Sequence, residues 1–190
     1  MTADNPERIR IKIKRLLKSL NQISKFKIRE FKFSADNDDT RYKMLNLMAR
    51  LDMNCGSIIV KKAALSAHSR SNISALYNTL VAKNIIHHLI TSYEKITYIN
   101  LHLDASMSKD SRQEFNVYFS NELLLQRSEY GIHDNIISHI QHAYSNQEGC
   151  IQAADYLTGS LYRLHQHNDA RYYEMIKHKV ISTYGWGIDT

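Results

Sequence analysis

Three carboxylates stand where the surrounding pattern does not call for one. Side chains of this kind, brought together in space, are the hard oxygen ligands that Mg²⁺ or Mn²⁺ prefers. Asp104 ends ITYINLHLD (96–104), the best strand pattern of the chain, and a helix-start segment follows at once. Ligands of open α/β sheets gather at the carboxyl ends of strands; the plain alternative is that Asp104 begins the loop and helps cap the next helix. Asp155, in CIQAADYLTGSLYRL, shares a helical face with Ile151, Thr158 and Tyr162. The small residues Ala153, Ala154 and Gly159 let a backbone or ligand come close. A carboxylate on a core-facing stripe costs stability unless it is paired or binds a metal. A structural hydrogen bond, or an ion pair with a Lys of the VKK strand end, would meet the same need. Glu30 continues an apolar strand face in FKIREFKF (26–33), where a cross-strand ion pair is the alternative. Together, Glu30, Asp104 and Asp155 would hold divalent ions, and two such ions can activate a water and stabilise the leaving oxygen in phosphodiester cleavage.

Other chemistries find less support. Ten histidines suggest zinc, but the adjacent His87 and His88 diverge by about 100° on a helix. His139 and His142, three apart on a strand, face opposite sides. No HExxH, P-loop, GxGxxG or GxSxG occurs. Cys55 and Cys150 form no CxxC and no disulfide framework, which fits a reducing cytoplasm. Cys150 has no evident base beside it and reads as a small buried residue.

The elements that must position these groups alternate between helix and strand. Asn5-Pro6-Glu7 reads as a helix start, and Ile9, Ile13, Leu16, Leu17 and Leu20 then share one face, although the Ile9-Ile11-Ile13 alternation also leaves a strand open at the beginning. FKIREFKF reads as a strand whose alternation slips at Glu30, as at a bulge or strand end. Residues 36–52 read as a helix with Met44, Leu45, Met48 and Leu51 inward. GSIIVKK (56–62) reads as a strand, and 70–93 as a helix with Ile73, Leu76, Tyr77, Leu80 and Leu89 on its apolar side. Residues 106–124 read as a helix with Ser caps, 135–143 as a strand, and 148–166 and 169–181 as helices. Strands separated by helices imply an α/β protein with parallel pairings.

The 190 residues are 43% hydrophobic and 23% charged, which suits one globular domain over 1–190 and excludes disorder and collagen-like designs. No apolar run approaches the length of a membrane span, and the charged start lacks a signal-peptide core. The formal net charge is +6. Ten basic residues lie between Arg8 and Lys32, opposed within that stretch by Glu30 alone. Such a cluster attracts nucleic-acid phosphate, or else is a solvated helix face followed by a strand edge kept soluble by Lys.

The segment ISHIQHAYSNQEGCIQAADYLTGSLYRLHQHNDARYYEMIKHK (137–179) resembles the domain-of-unknown-function family 3800. Ser145, Gln152 and Asp155 fill the places of that family's trailing Ser and its Gln-x-Ala-Asp helix. LHLDASMSKDSRQEFNVYF is similar to its strand-Asp-x-Ser segment, placing Asp104 and Lys109. REFKFS is similar to its Glu-x-Lys segment, placing Glu30 and Lys32, and IIVKK to its strand ending in Lys, placing Lys62. The resemblance spans roughly residues 8–180. It implies a ribonuclease H-like mixed sheet with flanking helices and a metal-dependent nuclease. Glu30, Asp104 and Asp155 would then hold Mg²⁺ or Mn²⁺. Lys62 and Lys109 would contact phosphate, Gln152 would orient Asp155 or substrate, and Ser145 would support it. Family members open with a strand carrying Asp-Glu-Ser-Gly, which this sequence lacks. The resemblance therefore implies a true start upstream of Met1, an N-terminally truncated relative, or a sheet completed by a partner chain or a second copy. The alternative on the same fold is a non-catalytic module that binds nucleic acid or protein.

Overall fold

The structure is a computed structural model and describes residues 1–3, 5–23 and 27–186. Chain order is α1 (Pro6–Ile23), α2 (Asp38–Ala49), β1 (Cys55–Val60), α3 (Ala67–Ser71), α4 (Ile73–Ser92), β2 (Tyr98–Asp104), α5 (Lys109–Glu129), β3 (Ile137–Ala143), α6 (Gly149–His167), α7 (Arg171–Ile176) and β4 (Val180–Trp186). Helix and strand alternate as an α/β protein requires. The strands pair as β1 with β4 and β2 with β3. Cross-strand partners keep a near-constant offset: Ser57 Oγ meets Thr183 Oγ1 and Gly56 faces Ser182, while Ile137 N donates to Thr97 O and His139 meets Asn100. A constant offset is the mark of parallel pairing.

Two compact units make up the chain. One is Met1–Cys55 with Ala143–Ile181, and the other is Gly56–His142 with Ser182–Thr190. No Gly- or Pro-rich linker marks the divisions, because they fall inside β1, β3 and β4.

The first unit is built on α1, α2, α6 and α7. Asn5 caps α1, its Oδ1 accepting from Arg8 N at 2.9 Å. Ile9, Ile13 and Leu20 are buried on the inner face, while Leu16 and Leu17 are half-buried. From α2, Met44, Leu45 and Met48 are fully buried. Gly149 at the start of α6 lies against the Arg10 backbone, where a Cβ would come within 3.2 Å. The aromatic core joins Phe33 to Tyr156 and Tyr172 edge-on, with ring centroids 5.5 and 5.2 Å apart.

In the second unit, α4 and α5 cover one face of the β2–β3 pair. Ala82, Ile86, Ile99, Leu103, Phe115, Phe119, Leu123 and Ile136 form its core. The α4 residues buried there are Asn78, Ala82 and Ile86, whereas Tyr77 is exposed and Leu76, Leu80 and Leu89 are only half-buried. This corrects the expected face. Helix α4 is apolar around most of its circumference, so periodicity does not single out one side. The side chain of Ile73 lies outside the described residues.

Two further expectations are corrected. Residues 27–36 form no strand but an extended stretch ending in a turn, with Asp36 N and Ala35 N donating to Lys32 O; Phe26 lies outside the described residues. The expected helix over 169–181 stops at Ile176, passes through a 3₁₀ turn (Lys177–Lys179) and continues as β4.

Candidate functional site

Two of the predicted acids, Glu30 and Asp155, meet at the stretch 27–36. Among the described residues this stretch has no neighbouring strand, and its buried backbone donors must still be satisfied. Side chains of α6 satisfy them. Phe31 N donates to Gln152 Oε1 at 3.0 Å, and Phe33 N donates to Asp155 Oδ2 at 2.9 Å. Donors two residues apart on an extended chain thus meet acceptors three apart on a helix. The Gln152 amide is fixed in one orientation, since its Nε2 donates to Ser145 O at 2.7 Å. Ser145 Oγ in turn donates to Glu30 Oε2 at 2.6 Å. Glu30, Ser145, Gln152 and Asp155 therefore belong to one hydrogen-bonded junction. Phe31 and Phe33, 1% and 5% exposed, are the side chains this junction drives into the core.

Asp155 does not lie on the core stripe of α6. The buried stripe is Gln152, Ala153, Tyr156, Leu157, Ser160 and Leu161, and the face expected for Asp155 carries an exposed Thr158 and Tyr162. Asp155 is half-buried at the stripe's edge, and its partner is a backbone N–H rather than a lysine. Glu30 likewise meets a hydroxyl rather than a cross-strand cation.

Asp36, which the sequence did not single out, closes the same stretch. Its Oδ2 accepts from Lys32 N at 2.9 Å and from the Tyr156 hydroxyl. Burial and this carboxylate together push the Tyr156 hydroxyl far above the ordinary range, so it acts as a fixed donor. The SADND turn signal could have pointed to Asp36. Burial, helped by Glu148, pushes the Cys150 thiol up to about 11, which disfavours its thiolate at neutral pH.

The remaining predicted residues belong to the second unit. Asp104 is exposed at the end of β2, and burial and then the Asp104 charge raise the Tyr77 hydroxyl. Lys109 is exposed at the start of α5, which Ser108 caps, and Lys62 is exposed in the 3₁₀ turn Lys62–Ala64. Among the described residues no group of three His, Cys, Asp or Glu side chains is placed to hold a metal ion. One oxygen each of Glu30 and Asp155 already accepts from the protein.

The basic residues form a second feature of the same unit. On α1, Arg8, Arg10, Lys14, Arg15 and Lys18 are exposed and Lys12 is half-buried. Among the described residues Arg10 is the one of these held in an ion pair, with Glu7 at 2.8 Å. Lys27, Arg29 and Lys32 are exposed on the stretch that follows, and Lys25 lies outside the described residues. Among the described residues no helix is long and apolar enough to cross a membrane.

Comparison with family models, with curated proteins and with solved structures finds no match.

Proposed function

We propose that the chain binds nucleic acid through the outward basic face of α1 and the stretch after it, as a non-catalytic module. The observation that carries this reading is the run of exposed cations on α1, one of them ion-paired among the described residues. A helix face of this charge concentrates phosphate and releases counterions on binding, so affinity falls steeply with salt. The test is binding of labelled DNA and RNA by fluorescence anisotropy across a salt series. The expected result is binding with a steep salt dependence, and loss of that binding in Lys14→Glu/Lys18→Glu. Salt-independent binding, or a preference for anionic lipid vesicles over nucleic acid, overturns the reading.

A second reading is a Mg²⁺- or Mn²⁺-dependent nuclease on a ribonuclease H-like scaffold, as the resemblance to family 3800 implies. Its support is that two segments carrying the resemblance, Glu30-x-Lys32 and Gln152-x-x-Asp155, belong to one junction with Ser145. It still needs a further metal donor, which the described residues of that junction do not supply. Cleavage of labelled DNA or RNA in Mn²⁺, lost in Asp155→Asn with the fold retained, would favour this reading over simple binding.

A further inference from the structure

One side chain ties the two basic segments together. Asn21 lies in the last turn of α1 and makes a two-way amide bridge to Ile28. Its Nδ2 donates to Ile28 O at 2.8 Å, and its Oδ1 accepts from Ile28 N at 2.7 Å. Lys27 and Arg29, both exposed, flank Ile28. On the helix, Asn21 continues the row Arg10, Lys14, Lys18 at i, i+4, i+8 and i+11, all within one face. At 1.5 Å per residue that row runs about 12 Å from Arg10 to Lys18. The bridge therefore brings two more cations to its C-terminal end.

Resting on the binding reading above, we propose that the nucleic-acid backbone lies along a two-element track, with Arg10, Lys14 and Lys18 on α1 and then Lys27 and Arg29. Asn21 is the positioning residue that joins the elements. The described part of the track offers no ring for base stacking. Phe31 is the one aromatic among the described residues of α1 and 27–32, and it is buried. Cations on such a track contact phosphate, which carries no sequence information directly, so the proposed track is indifferent to sequence. Two acids close in sequence to the track are already engaged, Glu7 with Arg10 and Glu30 with Ser145.

The test measures the salt slope of binding to a short labelled DNA, duplex and single-stranded, by the intact chain. Removing two phosphate contacts lowers the duplex slope by about 2, since each contributes about 0.9. That drop is expected for Lys27→Ala/Arg29→Ala. Asn21→Ala should approach it while removing no charge. Added to the double variant, Asn21→Ala should then change nothing further, because the residues act as a unit. An unchanged slope in Asn21→Ala overturns the proposal. So does an equal loss of affinity with and without Lys27 and Arg29, since that loss would come from the fold. Lys27 and Arg29 are exposed, so their double variant keeps the question answerable if Asn21→Ala fails to fold: an unchanged slope there overturns the track as well. A strong preference between homopolymer strands overturns its indifference to sequence. If the intact chain binds no nucleic acid, the binding reading falls too; if Lys14→Glu/Lys18→Glu abolishes binding while Asn21→Ala leaves the slope intact, only the track falls.

Discussion

Asp155, expected as a metal ligand, has a structural role in the fold as well. Its oxygen replaces the strand neighbour that Phe33 N lacks. Asp155→Ala leaves that donor, at a buried residue, without its partner, at a cost of about 1–3 kcal/mol. Asp155→Asn keeps a carbonyl oxygen in the same place and should cost under about 1 kcal/mol, because the neutral hydrogen bond is weaker but still made. Urea melts of both variants check this. Equal losses would mean that the charge, and not the acceptor, matters at this position. The sequence showed that Asp155 needed a partner, and it suggested a structural hydrogen bond, an ion pair with a lysine, or a metal. It could not show the partner, because Phe33 lies 122 positions away and a backbone N–H carries no residue identity.

At the scale of elements, the FKIREFKF stretch explains the largest misreading. Its alternation is real: Phe31 and Phe33 go inward while Lys32 stays exposed. The alternation arises from packing on α6, with no ladder to a second strand, and period-2 patterning cannot separate these causes. Gly159 is where that packing is closest. A Cβ there would stand 2.3 Å from Phe33 Cδ1 and Cγ. The Phe33 ring is held by Asp155 through its backbone, by Tyr156 and Tyr172 edge-on, and by the Arg41 guanidinium 4.9 Å from its centroid. It has little freedom to yield, so Gly159→Ala should destabilise by about 1–3 kcal/mol, despite the better helix propensity of Ala, as a thermal melt would show. The junction of α6 and α7 sets a pH dependence. Asp169 accepts from Arg171 and from Arg163, which hold its carboxyl well below the usual carboxylate range. A depressed folded pKa adds stability above the unfolded value of about 3.9 and loses it as pH falls through the folded value. Stability should therefore drop as pH falls below about 4, and Asp169→Asn should flatten that part of the profile. Denaturant melts across acidic pH check this. Helices α1, α2, α5 and α6 were legible because caps and 3.6-residue periodicity are local signals. Strand β4 was not, because its partner β1 lies 126 positions upstream and the apolar spacing of YYEMIKHKVI also suits a helix.

For the molecule as a whole, α/β alternation and parallel pairing follow from the order of elements, whereas the division into two units does not. Each unit has its own buried core, and each should open as its own cooperative block. In hydrogen exchange, Gly159→Ala should speed exchange in α1, α2, α6 and α7 and leave α4 and α5 unchanged. Equal acceleration throughout would show a single cooperative block. The same division bears on how the chain is made. The first unit draws on residues 1–55 and 143–181, so α1 and α2 leave the ribosome long before the helices they pack on. The roughly 90 residues in between take about 4–18 s to synthesise. Throughout that interval Ile9, Ile13, Met44 and Met48 have no partner from α6 or α7. Apolar faces exposed on a nascent chain are aggregation-prone, so α1 and α2 need shielding during synthesis until α6 and α7 emerge.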